Sequence, residues 1–163
     1  MKNFKTLALF VLVCALALTA CKKEINYHPE WDKPVVADAA LSAKVDGTYI
    51  AFTAQATLLT SSPIGKTLTL IGKNGDKIMT IVIYDFKGVG VYKIEDNLAQ
   101  ASYNQDLTAS GAFMSATGNI TITSAAGSAI KGTFSFVAPN QDVQLNTTRT
   151  ITEGAFNLSY STM

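Results

Sequence analysis

Residues 118–139 are the stretch that most restricts how this chain can fold, because two alternating apolar and polar runs flank a turn of small residues. Alternation with a period of two is typical of β-strands, so the stretch predicts a β-hairpin with one buried face. If Ile122 lies opposite Ile130, the apolar even-numbered side chains all share that face. Those side chains are Ile120, Ile122, Ile130, Phe134 and Phe136. Slipping one strand by one residue would turn its apolar side chains to water, so the choice of buried face is strongly specified.

Three dipeptides elsewhere lie between similar alternating runs and predict further turns. They are Asp46-Gly47, Asn74-Gly75 and Glu153-Gly154. Asp-Gly and Asn-Gly favour two-residue hairpin turns because both positions take positive φ. The first turn would pair Val45 with Thr48, and the second would pair Leu70 with Met79.

The chain after residue 38 has no helical period, and turn residues recur about every 8–12 positions. This pattern predicts an all-β fold, an antiparallel β-sandwich of about 8–10 strands built from successive hairpins, with a closed or partly open β-barrel as the alternative. Residues 95–116 are the least regular part. Because loops carry function more often than the strands they join, this is the first place to look for a binding surface.

The first 21 residues predict secretion and lipidation. A basic start is followed by an apolar run over residues 6–20, which is shorter than the roughly 20 residues of a membrane-spanning helix and is typical of a signal peptide. The run ends in Leu-Thr-Ala before Cys21, which resembles a lipobox, the site where bacterial signal peptidase II cuts. The resemblance implies that Cys21 becomes the first mature residue and carries a diacylglyceryl thioether, usually with a third acyl chain. The alternative is an ordinary secreted protein with a free thiol at Cys21.

These features divide the chain into a signal peptide (1–20), a lipidated cysteine with a flexible tether (21–38) and a single all-β domain (39–163). Lys22 and Lys23 follow Cys21. By resemblance to enteric lipoproteins, the lack of an aspartate directly after the cysteine favours the outer membrane. Whether the domain faces the periplasm or the medium stays open.

Several chemistries are excluded by composition. His28 is the only histidine and lies in the tether, so the domain holds neither a Ser–His–Asp triad nor a multi-histidine zinc site. Acidic residues near the irregular region, such as Glu95 and Asp106, are interpreted as solvated turn charges. Once Lys2 and Lys5 leave with the signal peptide, 11 basic residues face 12 acidic ones, which makes nucleic acid an improbable partner. The sequence therefore predicts a protein that is not an enzyme and has no catalytic, cofactor-binding or metal-ligating residues.

Four segments in a fixed order carry a resemblance to a known family. They are AKVDG (43–47), GNITIT (118–123), GTFSF (132–136) and ITEGAF (151–156). Together they resemble an uncharacterised lipoprotein domain of Bacteroidota, a family of unknown function, over about residues 39–160. The resemblance implies an all-β, lipid-anchored domain and supplies no catalytic residues. The chain departs from the family at GVGVY (88–92), where a Gly-Thr-Tyr-like start is expected.

Two classes of function fit these observations. The first is a binding or adhesion module for a glycan or a protein, with Tyr49, Tyr92 and Tyr103 as the candidate ligand surface because they lie outside the predicted core face. The second is a structural accessory subunit of an envelope complex. A lipid-binding barrel is a third, less favoured reading. A closed barrel with an apolar cavity would favour lipid, an exposed aromatic row would favour a glycan, and a flat apolar patch would favour a protein.

Overall fold

The computed structural model describes residues 40–61 and 65–163, and β-strands make up most of them. The predicted signal peptide, the predicted lipidation site Cys21 and the predicted tether lie outside the described residues. The strands are β1 (Leu41–Val45), β2 (Thr48–Ser61), β3 (Gly65–Asn74), β4 (Lys77–Ile83), β5 (Gly90–Lys93), β6 (Ala99–Asn104), β7 (Ala112–Met114), β8 (Thr117–Ala126), β9 (Ala129–Pro139) and β10 (Thr148–Thr162). One turn of 3-10 helix covers Ala109–Gly111, and the described residues include no α-helix.

The strands form one ten-stranded sheet in the order β5-β8-β9-β10-β1-β2-β3-β4-β6-β7, with every neighbour antiparallel. The end of β10 also runs parallel to the second half of β2, where Tyr160 lies opposite Ala56. The sheet has two halves, one that runs from β5 to β1 and one that runs from β3 to β7. The long strands β2 and β10 take part in both halves. β5 and β7 end the sheet without pairing with each other, so it is not closed into a barrel. The prediction of an antiparallel all-β fold of this size is confirmed.

A single apolar core is formed by alternate side chains of strands in both halves of the sheet. In β9 every even-numbered residue is buried, as the period of two predicts. Phe134 lies at the centre of an aromatic group, with its ring centroid 6.2 Å from that of Phe136 and 6.4 Å from that of Phe156. The predicted buried face of the hairpin over residues 118–139 is confirmed. Its apolar members are all buried, namely Ile120, Ile122, Ile130, Phe134 and Phe136.

The register predicted for that hairpin is wrong by two residues. Ile122 lies opposite Gly132, not Ile130. The ladder shifts between Ile122 and Ser124, which leaves Thr123 as a bulge, and the turn falls at Gly127 and Ser128. Because a slip of two residues returns each side chain to its original face, burial alone could not distinguish the two registers.

Of the two other predicted hairpins, one has the predicted register and one does not. The Asp46-Gly47 turn pairs Val45 with Thr48 as predicted. In the second hairpin Leu70 lies opposite Ile81 rather than Met79, so that prediction is also wrong by two residues. The cause lies in Asn74, which stays in β3 and donates its side-chain amide to the carbonyl of Ala51 at 2.7 Å. The turn therefore moves one residue along the chain.

The predicted turn at Glu153-Gly154 is instead a bulge within the continuous strand β10. Ile151 lies opposite Phe136 and Gly154 lies opposite Phe134, so two residues of β10 face the single Ser135 of β9, an excess of one residue. Glu153 has a φ of 50°, a positive value of the kind that two-residue hairpin turns also require. A Cβ atom on Gly154 would lie 2.5 Å from the Phe134 ring, so the glycine allows β10 to cross that ring.

We expect Gly132→Ala to destabilise the fold, because a Cβ atom there would overlap the Phe156 ring and the carbonyl oxygen of Thr121. Overpacking of this kind costs about 1–3 kcal/mol. Guanidinium unfolding should show a lower midpoint with an unchanged slope. Gly90→Ala is the matched control, since its Cβ would lie 3.9 Å from the nearest atom, a ring carbon of Tyr92. Equal midpoints for the two variants would contradict the packing described here.

Candidate functional site

A polar groove of about 360 Å³ opens on the surface where β4 ends beside β6 and β7. Its lining residues are Tyr84, Ile94, Glu95, Asn97, Ala99, Gln100, Ser115 and Ala116. Two other described clefts are smaller, at about 180 and 220 Å³. The volume of the groove is at the lower end of the range for small-ligand sites, which is about 300–1,000 Å³. We call this feature the polar groove.

The groove is shaped by a tight loop between β5 and β6. Asn97 donates its backbone N–H to the carbonyl of Ile94 at 3.0 Å, and its φ of 57° turns the chain back on itself. Leu98 then links the loop to both neighbours, since its N–H donates to the carbonyl of Lys93 at 3.2 Å and its carbonyl accepts from Tyr84 at 3.0 Å. The loop thus holds Glu95 and Asn97 at the rim next to the end of β4.

Hydrogen bonds orient the polar side chains on the groove wall. The Tyr84 hydroxyl donates to Oε1 of Gln100 at 2.8 Å, and Nε2 of Gln100 lies 3.0 Å from the sulfur of Met114. The Ser115 hydroxyl oxygen accepts from the backbone N–H of Ala101 at 2.9 Å, which leaves its own proton to donate. The groove therefore presents fixed hydroxyl and amide groups beside Tyr84, an aromatic residue that is 37% exposed.

Two of the three predicted ligand tyrosines lie in the core, so their predicted placement on an outer face is wrong. Tyr92 is opposite Ile120 and Tyr103 is opposite Met79, and residues paired across strands share a face. Tyr92 also closes a loop, since its hydroxyl donates to the carbonyl of Gly88 at 2.8 Å. Tyr49 is 39% exposed on β2. The three tyrosines are on β2, β5 and β6 and form no common surface.

Tyr84 was not predicted as a ligand residue, although the region of its neighbours was predicted as a place for a binding surface. Glu95, Asn97, Gln100 and Ser115 all belong to residues 95–116, the irregular stretch proposed as the first place to look for a binding surface. Tyr84 directly follows the apolar strand β4, so its position in the sequence predicted only packing within the sheet. Its role in the groove depends on the pairing of β4 with β6, which no local pattern shows.

Two further observations concern the part of the chain that the structure describes. It contains no group of three or more histidine, cysteine, aspartate or glutamate side chains placed to hold a metal ion. Nor does any helix in it have the length and apolar character required to cross a membrane. The predicted lipidation site, Cys21, lies outside this part and stays a prediction.

Nitration with tetranitromethane should separate the exposed tyrosines from the buried ones. We expect Tyr49 and Tyr84 to be modified in the native protein, because each residue is more than a third exposed. Tyr92 and Tyr103 should be protected until the protein is unfolded. Burial also raises the pKa of the Tyr103 phenol, which reduces the reactive phenolate further. Mass spectrometry of the nitrated peptides measures this, and native-state modification of Tyr103 at the rate of Tyr49 would contradict its burial.

Comparison with known proteins defines the family. No curated protein and no solved structure matches the chain. A family model described as a domain of unknown function, DUF6252, matches residues 37–158. The resemblance to an uncharacterised domain family is thus confirmed, and the chain belongs to the DUF6252 family.

Proposed function

We propose that this protein is a lipid-anchored binding module of the cell envelope and that the polar groove takes a glycan. The observation that carries the proposal is the lining of the groove, in which an exposed tyrosine ring lies beside fixed hydroxyl and amide groups. Sugars offer hydroxyl groups that both donate and accept, and they have apolar faces that pack on aromatic rings. Hydroxyls and side-chain amides have the same dual capacity, and tyrosine offers both an apolar ring and a polar tip.

The charge of the groove suggests which glycans it would take. Glu95 is the only ionisable carboxylate among its lining residues, and no lysine or arginine is among them. An acidic sugar would therefore meet a like charge without a cation to balance it. We expect neutral or amine-bearing glycans to bind in preference to uronic or sialic acids.

The membrane attachment rests on the sequence. Cleavage after residue 20 would leave Cys21 with two or three acyl chains, which anchor a protein durably where one chain binds only marginally. By resemblance to enteric lipoproteins, the lack of an aspartate directly after Cys21 supports an outer-membrane position. The role we propose is binding without catalysis.

Of the other two hypotheses, a structural accessory subunit would use a protein-binding surface in place of the groove. A lipid-binding barrel has less support. The sheet is not closed, and buried Leu, Ile and Phe side chains fill the space between its two halves. A ligand would therefore have to bind on the surface.

Substitution of Tyr84 should abolish glycan binding without unfolding the protein. On an array of neutral, amine-bearing and acidic oligosaccharides, we expect Tyr84→Ala to reduce the signal of the detergent-solubilised protein at least about tenfold, since a stacked ring is a major source of binding energy. Tyr49→Ala is the matched control, because Tyr49 is 39% exposed against 37% for Tyr84 and lies on β2, away from the groove lining. Loss of binding in Tyr49→Ala alone would move the site to β2, and the absence of any bound glycan would exclude the proposal.

The anchor can be tested independently with Cys21→Ala. We expect the variant to leave the membrane fraction and to incorporate no labelled palmitate, because the acyl chains have no attachment atom. Fractionation with immunoblotting measures this, and Cys14→Ala is the control because that residue lies within the predicted signal peptide. A variant that stays in the membrane fraction would exclude lipid anchoring at Cys21.

A further inference from the structure

Three large apolar side chains are strongly exposed on two loops. Leu107 is 73% exposed on the loop between β6 and β7, and Val143 and Leu145 are 79% and 45% exposed on the loop between β9 and β10. Single exposed apolar residues are normal, but a group of them on adjacent loops marks an interaction site more often. We call Leu107, Val143 and Leu145 the loop patch.

The two loops are bonded to each other. Asn140 is only 7% exposed, and its side-chain amide donates to the carbonyl of Ser110 at 2.7 Å. The backbone N–H of Gln141 donates to the carbonyl of Ala112 at 2.9 Å, and Asn140 forms a bridge with Phe113. These bonds hold the two loops next to each other.

Each loop is also fixed internally. In the first, Thr108 donates its N–H to Oδ1 of Asp106 at 2.9 Å, and Gly111 donates to the Thr108 hydroxyl at 3.2 Å. In the second, Oδ1 and the backbone carbonyl of Asp142 accept from Gln144 at 3.0 Å and from Leu145 at 3.1 Å. Because these backbones are already ordered, a partner would bind without the entropic cost of fixing them.

The base of the loops is held by the only arginine in the chain. Arg149 donates to Oδ2 of Asp46 at 2.9 Å and to Oε1 of Gln105, and its guanidinium carbon lies 5.0 Å from the centre of the Phe113 ring. This arrangement links the first loop to β10 and to the first hairpin. It also pairs the positive charge of Arg149 with Asp46.

The remaining charges of the two loops are negative. Asp106 directly precedes Leu107, and Asp142 directly precedes Val143. Neither takes part in the ion pairs formed among the described residues, which are Lys44–Glu153, Lys87–Asp85 and Arg149–Asp46. Hydrogen bonds from Thr108 lower the pKa of Asp106, so its carboxylate is charged at neutral pH. The loop residues 105–111 and 140–147 contain no lysine or arginine.

We propose that the loop patch is a docking surface for a protein partner whose contact surface is apolar and flanked by lysine or arginine. An anionic membrane surface would repel the two carboxylates, and a second copy docked on the same patch would bring four of them together. A basic, apolar protein surface would pair with the carboxylates while it buries the three apolar side chains. The loop patch shares no lining residue with the polar groove, so this proposal does not depend on glycan binding.

The first experiment locates the partner. A photo-crosslinking residue is placed at position 143 of the full-length protein in the cells that make it, with position 89 as the control because Val89 is 65% exposed on another loop. We expect a protein adduct at position 143 whose cross-linked peptide, sequenced by mass spectrometry, combines apolar residues with lysine or arginine. Adducts with lipid or with a second copy of this chain, or adducts no more abundant than at position 89, would overturn the proposal.

The second experiment uses that purified partner to separate the apolar and charged contributions. We expect Leu107→Ser combined with Val143→Ser to raise Kd at least about tenfold, while Val89→Ser leaves it unchanged. Asp106→Asn with Asp142→Asn retains the Oδ1 acceptors but removes both charges, so Kd should rise severalfold at low salt and the difference should shrink at high salt. Unchanged affinity in the apolar double variant would overturn the proposal. Tyr84→Ala should leave Kd unaltered, so a failed glycan experiment is distinguishable from a failed docking experiment.

Discussion

The crossing of Gly154 over the Phe134 ring is the contact on which the arrangement of the sheet depends. β10 pairs with β9, then with β1, and finally runs parallel to β2, so it must bend as it passes between the two halves. The bulge before Gly154 supplies this bend, because a strand with extra residues turns and twists locally. The missing Cβ leaves room for Phe134, whose ring stacks on Phe136 and Phe156 at the centre of the core.

The faces of the strands could be predicted from the sequence, but the registers could not. A period of two determines which side chains are buried, and a slip of two residues leaves that pattern intact. The actual registers depend on contacts with residues distant in the chain, such as the bond between Asn74 and the Ala51 carbonyl. A positive φ is equally ambiguous, because it fits either a turn or a bulge within a strand. Asp46 takes it in a turn, whereas Glu153 takes it within a strand, and only the packing beside the following glycine separates the two.

The candidate site shows a similar division. The irregular, polar character of residues 95–116 predicted a binding surface there, and these residues supply Glu95, Asn97, Gln100 and Ser115 to the groove wall. The individual tyrosines could not be placed, because β5 has only four residues and β6 only six, and a short alternating run does not say which of its faces is inward. That choice is made by the partner strand. Tyr92 lies opposite the buried Ile120 and Tyr103 lies opposite the buried Met79, so both tyrosines are on the core face.

The segment from β6 to β7 lies between the two proposed surfaces and connects them physically. On β6, Gln100 faces the groove while Tyr103 packs into the core against Phe113, with 6.4 Å between ring centroids. Arg149 lies over the Phe113 ring and bonds to Gln105 at the base of the loop patch. The core contacts of one short strand therefore support the polar groove on one side and the loop patch on the other. Because both surfaces share this support, a ligand that bound to either would not have to order the chain first, and its binding energy could go into contacts.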